Sequence, residues 1–319
     1  MSFFYLRCSL IQTISGGSGF IGRSLASSLR LAGHKVQVIS RKPKDINDVS
    51  WNSIKQSGLP KNVDVVVNLS GRSIGEVNAS FLIKQNYDRY IQEVFSSRLD
   101  TTKLLVDLSK GTPLKAFINA SAIGFYAPDL EVTYDESAPF KNCGLITSLV
   151  KQCEDAAQIP SRPDIRQIQL RIGIVLAKDS NFIRSLYLSH RMGFCNPIGT
   201  GRQWISWIHI HDLIRIIEYI TDPESVFSSG PVNCTAPEPV RQVTLAKALS
   251  ESLGASFNPL SKIPIPPFIF NYLLGKDRAT LVVDGQRVVP TKLLNSGFKF
   301  TYPNLADAFE NIFGHRPCL

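Results

Sequence analysis

Ser15-Gly16-Gly17-Ser18-Gly19-Phe20-Ile21-Gly22 is the stretch that decides the fold. It lies between an apolar run, Leu10 to Ile14, and a segment, Phe20 to Ala32, whose apolar residues recur at helical spacing. A G-x-x-G-x-x-G turn from strand into helix needs glycine for three separate reasons: a tight turn, close approach of the backbone to a pyrophosphate, and close packing of helix on strand. The N-terminus of the helix then offers unpaired N–H groups to an anion. An ordinary tight turn would also use these glycines, so the surrounding pattern has to decide.

That pattern alternates short apolar runs with longer helical ones, which is the signature of βαβ units and a parallel sheet. Strands are expected at Leu10 to Ile14, Val36 to Ser40, Val63 to Leu69, Ala116 to Ala120 and Ile168 to Ile172. Helices are expected at Tyr87 to Ser109 and Leu145 to Ala157. From Lys178 the rhythm changes to loops and strands rich in Pro and Gly, with helices at His211 to Thr221, Val243 to Leu253 and Leu305 to Phe313. The expected fold is α/β: a Rossmann doubly wound parallel sheet over residues 10–177, completed by about 208–231. A smaller discontinuous α+β lobe on the substrate side is expected from residues 178–207 and 232–319. No internal repeat is present.

The second expected strand ends in Ser40-Arg41-Lys42, with none of the acids that bind a ribose 2′-hydroxyl in NAD-preferring sites. Arg41 can lie against adenine and pair with a 2′-phosphate, Ser40 and Lys42 adding donors, so the chemistry favours NADP (NADPH). The first 44 residues hold seven Lys and Arg and no Asp or Glu, the first acid being Asp45. The run Asp64-Val65-Val66-Val67-Asn68-Leu69-Ser70-Gly71 ends in small residues where a cofactor ribose would approach the sheet edge.

Composition excludes several classes. Hydrophobic residues make up 44 % and charged residues 19 % of 319, a balance that suits a folded domain and excludes a disordered chain. The longest apolar stretch, Ile263 to Leu274, is interrupted by Pro264, Pro266 and Pro267 and falls short of the roughly 20 residues a bilayer span needs. Net charge is +9, but the cations are scattered, so no nucleic-acid partner is expected. The six cysteines form no C-x-x-C pair, and His209 with His211 lacks a third ligand, so neither disulfides nor a metal are expected. Isolated cysteines and the lack of a secretory signal favour a cytoplasmic location, with mitochondria second.

Taken together these residues resemble the extended, epimerase-like short-chain dehydrogenase/reductases. Pro197-Ile198-Gly199-Thr200-Gly201-Arg202-Gln203-Trp204-Ile205-Ser206-Trp207-Ile208-His209-Ile210-His211-Asp212-Leu213 narrows the match, with Asp284-Gly285-Gln286-Arg287-Val288-Val289-Pro290 and Gly297-Phe298-Lys299-Phe300. These are similar to the atypical NAD(P)-dependent epimerase group of bacterial YfcH-like proteins and animal family 39U. The resemblance runs from about Ile11 to Ile312. It implies that Gly16, Ser18, Gly19, Phe20 and Ile21 hold the pyrophosphate, Ser40 and Arg41 the adenosine phosphate, and Leu69, Ser70 and Gly71 the ribose. It also implies cofactor contacts from Glu93, Arg98 and Val175; the residues alone would place Glu93 and Arg98 on an exposed helical face.

Hydride chemistry in this superfamily uses a Tyr, a Lys four residues later and a Ser that orients the substrate oxygen. No Y-x-x-x-K occurs in the chain. Counting back from Glu154, Ile146 and Val150 occupy the two positions, while Thr147 and Lys151, one residue off, read as an exposed pair. Ser121 matches the serine, and Tyr126 is the nearest proton donor, or equally a packing residue of the cleft wall. Gln203, Trp204, Ser206, Trp207 and His209 combine aromatic faces with polar groups as a substrate cleft does, although Trp207 reads equally as core and His209 as a partner of the backbone. The function expected is an NADP-dependent oxidoreductase or epimerase acting on a small polar substrate, of nucleotide-sugar kind by family label alone. The alternative is an NADPH-binding redox-sensing or regulatory protein without efficient catalysis. The residues do not identify the substrate or the oligomeric state.

Overall fold

The computed structural model describes residues 9–74, 84–191, 197–253, 264–266, 268–269, 272, 275, 279–280 and 283–314. The nucleotide half begins β1 (Ile11–Ser15), α1 (Phe20–Leu31), β2 (Lys35–Ser40), β3 (Val49–Ser50), α2 (Trp51–Ser57), β4 (Val65–Asn68), α3 (Lys84–Ser109). It continues through β5 (Ala116–Ala122), a 3₁₀ turn at Ile123–Phe125, β6 (Thr133–Tyr134), α4 (Leu145–Ala156), β7 (Arg166–Ile172) and β8 (Ile174–Leu176). After it come α5 (Asn181–Arg191), β9 (Trp204–Ile205), β10 (Trp207–His209), α6 (Ile210–Thr221), β11 (Gly230–Cys234) and β12 (Val240–Arg241). The described elements end with α7 (Gln242–Ser252), β13 (Arg287–Val288), α8 (Thr291–Asn295) and α9 (Leu305–Phe313).

Seven parallel strands form the main sheet in the order β11-β7-β5-β4-β1-β2-β3. The order runs outward in both directions from the β1/β4 pair, which makes the carboxyl end of that pair the topological switch point. Both faces are covered, which is why Val65-Val66-Val67 reads as an unbroken apolar run rather than an alternating one. On one face Leu25, Ala26 and Leu29 of α1 and Leu213, Ile216, Ile217 and Ile220 of α6 pack on Ile14, Val67, Ile118 and Leu170. On the other, Val66 and Phe117 meet Ile54 of α2 and Leu105 of α3.

That second face turns polar toward the carboxyl edge. Ser15 Oγ donates to Asn68 Oδ1 at 2.6 Å, Asn68 Nδ2 to Asn119 Oδ1 at 2.8 Å, and Asn119 Nδ2 to Gln169 Oε1 at 3.0 Å. These residues are register partners on β1, β4, β5 and β7, so the ladder ties four strands together side chain to side chain. Asn68 Nδ2 also reaches Thr102 Oγ1 of α3 at 2.8 Å.

The smaller lobe packs α7 and α9 around Trp207, Leu176 and Ile205. Residues 178–207, expected as loops and strands, include the helix α5: Ile183 docks in the lobe core, and Ser180 Oγ accepts its N–H at 3.1 Å. The seventh strand β11 runs to Cys234, beyond the limit of 231 expected for the completing segment. Pairing with β7 over all five of its residues extends it. Two carboxylates join the lobe to the sheet. Asp212 in the first turn of α6 accepts the backbone N–H groups of Thr301 and Tyr302 at 2.9 and 2.8 Å, and Glu136 accepts those of Asn233 and Lys292 at 3.0 and 3.2 Å.

Candidate functional site

The glycine loop lies at the switch point, and its geometry requires the residues it has. Gly16 has φ +71°, and a Cβ there would sit 2.7 Å from the Leu69 carbonyl oxygen. A side chain on Gly22 would meet the Gly16 oxygen at 2.4 Å, so α1 can start against the loop only with glycine at that position. The loop is stitched in place by Gly16 N–H to Ile39 O at 3.1 Å, Gly19 N–H to Gly16 O at 2.9 Å and Leu69 N–H to Ser15 O at 3.0 Å. Gly19 is the N-cap of α1, and no side chain caps the helix. Its first N–H groups therefore point into the loop, where Ser18 and Gly19 are exposed and Phe20 and Ile21 half-buried.

Around this loop the strand ends carry polar atoms without protein partners. Ser40 closes β2, is 3 % exposed, and its hydroxyl has no hydrogen bond. Ser70, two residues past β4, likewise has a buried, unpartnered hydroxyl. A buried hydroxyl without a partner is unfavourable by roughly 1–3 kcal/mol; Gln12, Thr13 and Gln37 within β1 and β2 also hold buried unpartnered polar atoms, but Ser40 and Ser70 are the two at the open end of the sheet beside the glycine loop. Arg41 and Lys42 follow Ser40 and are exposed, and among the described residues neither makes an ion pair. Two other cations of this acid-poor stretch are paired: Arg23 with Asp179 at 3.2 Å, and Arg30 with Asp45 and Asp48 at 3.4 and 3.3 Å.

The remaining cofactor candidates are less direct. Gly71 is pressed by Arg98, whose Cζ would lie 2.9 Å from a Cβ at that position. Arg98 Nη1 donates to the carbonyls of Arg72 at 2.6 Å and Val94 at 3.1 Å, so Arg98 supports the backbone beyond β4, and burial lowers its pKa. Glu93 is exposed and forms an ion pair with Arg72, whose guanidinium also lies 4.8 Å from the Tyr90 ring. Val175 lies on β8 opposite Ile208 of β10 and, with Leu69 and Ile21, packs on the apolar core.

At the end of β5 a second polar rung lies beyond the amide ladder. Ser121 Oγ donates to Glu154 Oε1 at 2.6 Å. Arg171 grips the same carboxylate through Nε at 2.9 Å and Nη2 at 3.0 Å, and its Nη1 donates to the Tyr126 hydroxyl at 2.9 Å. The Tyr126 O–H in turn donates to Asn233 Oδ1 at 2.7 Å. The Phe125 ring lies 3.4 Å from the guanidinium carbon. Burial disfavours the charged Arg171, but Glu154 and Tyr126 hold its pKa above the ordinary range.

In this geometry Tyr126 stands as a packing residue, one of the two readings its position in the sequence left open. It is fully buried, its oxygen has both neighbours it needs, and burial pushes the phenol up despite Arg171 and Asn233. Ser121 is half-buried at the strand end, and its own proton is directed to Glu154. Ile146 and Val150 face Gly124 with their methyl groups, which a Cβ at that glycine would meet at 3.0 and 3.5 Å. Thr147 and Lys151 are not an exposed pair: Thr147 is buried and bonds the turn at 142–144, and Lys151 binds Asp155 one turn on.

The five lobe residues expected to line a substrate cleft do meet one another's neighbourhood, but they serve the lobe's own construction. Ser206 Oγ donates to Gln286 O at 2.7 Å and accepts from Val288 N–H at 2.9 Å. Trp207 is fully buried with Nε1 on Glu238 O at 3.1 Å, and Gln203 is buried with Nε2 on Ile198 O at 3.2 Å. His209 caps α6, its Nδ1 accepting the His211 N–H at 3.2 Å, and burial against Tyr302 brings its pKa down to about 4. Only Trp204 keeps part of its ring exposed, with Nε1 donating to Leu130 O at 2.8 Å. Sequence reasoning missed Glu154, Arg171 and Asn233. The signal present was a charged residue inside the apolar strand Ile168 to Ile172, which an interior strand tolerates only with a partner.

Among the described residues no group of three potential metal ligands occurs, and no helix is long and apolar enough to cross a membrane. The profile of the NAD-dependent epimerase/dehydratase family matches residues 13–145, and a domain of unknown function, DUF1731, matches residues 265–312. Over 301 residues the chain is 35 % identical to the epimerase family protein SDR39U1 of mouse, covering 94 % of this chain and 98 % of the mouse protein. The crystal structure of human SDR39U1, isoform 2, with NADPH superimposes with a TM-score of 0.84 at 32 % identity, covering 95 % of this chain and 99 % of the human one. A nucleoside-diphosphate sugar epimerase from Corynebacterium glutamicum gives a TM-score of 0.72 at 25 % identity, covering 96 % of this chain and 58 % of the bacterial one.

Proposed function

Because the chain belongs to the epimerase family that includes SDR39U1, we propose that it binds NADP(H) across the carboxyl edge of β1, β2 and β4. Gly16, Ser18, Gly19, Phe20 and Ile21, with the uncapped start of α1, take the pyrophosphate. Ser40 and Arg41 take the adenosine 2′-phosphate, Arg41 by a two-pronged contact that a planar guanidinium makes well. Leu69, Ser70 and Gly71 border the ribose, with Arg98 holding their backbone from behind. The observation that carries this reading is the pair of buried, unpartnered hydroxyls of Ser40 and Ser70 on either side of the glycine loop. The cofactor, when bound, supplies a hydride acceptor or donor.

The test is a titration of purified protein with NADPH and with NADH. NADPH affinity should exceed NADH affinity by at least about tenfold, and Arg41→Ala should remove most of that difference while leaving NADH unchanged. Equal affinities in the wild type would remove Arg41 from the reading.

For turnover, the reading is hydride transfer on a small polar substrate, the nucleotide-sugar class being suggested by the bacterial relative's name. Ser121 is the residue at β5 that would orient the reacting oxygen. A second reading, cofactor binding without efficient catalysis, is favoured by one observation: the Tyr126 phenol is sealed between Arg171 and Asn233, and Ile146 and Val150 replace the usual proton-moving pair. Following nicotinamide fluorescence of the NADPH complex through a screen of carbonyl compounds and nucleotide sugars separates the two. Decay that Ser121→Ala slows supports the enzyme, and stable fluorescence throughout supports the binder.

A further inference from the structure

One contact crosses from the first turn of α1 to the entry of the smaller lobe and puts a carboxylate where an anion is expected. Arg23 is the fourth residue of α1, and its Nη2 pairs with Asp179 Oδ2 at 3.2 Å, across 156 positions of the chain. Side chains on a helix lean toward its N-terminus, and three steps of about 1.5 Å separate Arg23 from the helix start at Phe20. The carboxylate is thereby held within roughly 8–10 Å, one Debye length, of the N–H groups that face the glycine loop. Helix α1 has no acid in its first turn and no side-chain cap, so the negative charge that favours this helix end is brought in from another segment.

The segment that delivers this charge is firmly built. Asp179 lies in a turn closed by the Ser180 N–H to the Ala177 carbonyl at 3.0 Å. Ser180 is buried, and its hydroxyl accepts the Ile183 N–H at 3.1 Å at the start of α5. The ion pair itself faces water, the side chains of Arg23 and Asp179 being 62 % and 50 % exposed. An exposed pair of this kind is a weak contact that salt screens. A pyrophosphate seated on the start of α1 sets two negative charges against one: it attracts Arg23 more strongly than Asp179 does, and it repels the carboxylate.

We propose that Asp179 is a competing anion built into the cofactor groove, an autoinhibitory contact that holds Arg23 in the free protein and yields it to the pyrophosphate of NADP(H). On the cofactor reading above, on which this role depends, Asp179 sets the affinity of the groove rather than the identity of its ligand. The exchange moves one guanidinium from a carboxylate to a phosphate oxygen, the partner that its planar fork matches as well and that carries more charge. Because Asp179 directly precedes Ser180, at the start of α5, the exchange also links cofactor binding to the smaller lobe.

Titration of NADPH into the wild type, Asp179→Asn, Arg23→Gln and the double variant, at low and at high salt, tests the exchange. Asp179→Asn should tighten NADPH binding by about two- to fivefold, and Arg23→Gln should weaken it by a similar factor. In the Arg23→Gln background the gain from Asp179→Asn should be smaller, since only the repulsion is left to remove, and all these differences should shrink at high salt. Adenosine 2′-monophosphate, which lacks the pyrophosphate, should bind the wild type and Asp179→Asn equally. NADPH affinity that is unchanged or weaker in Asp179→Asn, an undiminished gain in the Arg23→Gln background, or equal tightening of adenosine 2′-monophosphate overturns the exchange and leaves the cofactor reading standing. If the wild type binds no NADPH, the cofactor reading fails and this role for Asp179 fails with it. Both side chains face water, and matching thermal unfolding midpoints confirm that the variants are folded.

Discussion

The edge of the sheet around the glycine loop and the stretch from Gln203 to His209 were both read as ligand-facing, yet they are built in opposite ways. At the edge, Ser40 and Ser70 keep buried hydroxyls without partners and Arg41 stands without an acid. In the lobe stretch, Ser206, Trp207, Gln203 and His209 each bond a protein group at 2.7–3.2 Å, and all four are buried. A polar residue that lacks a partner invites a ligand, whereas one already satisfied holds the scaffold. The length and specificity of a motif do not by themselves distinguish the two.

The largest expected effect concerns the rung that resembles a catalytic centre but is closed like a core. Arg171 and Glu154 have side chains only 5 % and 9 % exposed, joined by two hydrogen bonds. Arg171→Met leaves the carboxylate buried without its counter-charge, with only the Ser121 hydroxyl still bonded to it, so unfolding in urea should show a loss of about 3–5 kcal/mol. Adding Glu154→Leu should recover much of that loss, because the unpaired charge is then gone. A single variant that unfolds like the wild type would mean that water or substrate reaches Glu154, and the rung would move to the ligand-facing side of the comparison.

Gly16→Ala tests the other side. Its φ of +71° and a Cβ 2.7 Å from the Leu69 oxygen force the loop away from β4. NADPH affinity should fall at least about a hundredfold, or roughly 2.7 kcal/mol. Retained affinity would separate the glycine loop from cofactor binding altogether.

How much of this was legible beforehand depends on the range of the interaction. Strands β1, β2, β4, β5 and β7, helices α1, α4, α6 and α9 and the loop between β1 and α1 follow from local periodicity and fall within one or two residues of the expected spans. The glycine loop and the Ser40-Arg41 strand end were legible for the same reason, since Gly16 to Gly22 and Ser40-Arg41 are each contiguous in the chain. The lobe stretch was not: Ser206 bonds residues 80 and 82 positions away, and Tyr126 bonds Asn233 107 positions away. No spacing rule reports such partners. The short elements β3 and α2 were missed because a two-residue strand or a seven-residue helix gives too few periods to register.

His209 gives the comparison a pH axis. Burial, the first cause, together with His211, outweighs Asp212 and Asn311 and brings its folded-state pKa to about 4, below the ordinary imidazole value of 6.5. On acidification the unfolded chain therefore binds the proton first. The stability held by the neutral imidazole is complete above about pH 6.5 and is lost as pH falls toward 4. His209→Asn keeps an acceptor for the His211 N–H but cannot titrate, so the difference between the two unfolding-versus-pH curves should shrink steadily through that window. Parallel curves would mean that the imidazole is open to water, as a cleft residue would be.

The smallest effects sharpen the comparison most, because one chemical change is made in both regions. Ser206→Ala removes a hydroxyl that donates to Gln286 O and accepts from Val288 N–H, leaving two buried backbone groups short of a partner. It should lower stability by about 1–2 kcal/mol and leave NADPH affinity within a factor of two. Ser70→Ala removes a hydroxyl with no protein partner, so the free protein should lose nothing and can gain a few tenths of a kcal/mol. Its NADPH affinity should fall by about three- to tenfold, the value of one hydrogen bond to the ligand. The two variants thus exchange their effects between the melting curve and the titration. If both act only on stability, Ser70 belongs with the scaffold, and the unpartnered hydroxyl at the sheet edge loses its meaning as the mark of a bound ligand.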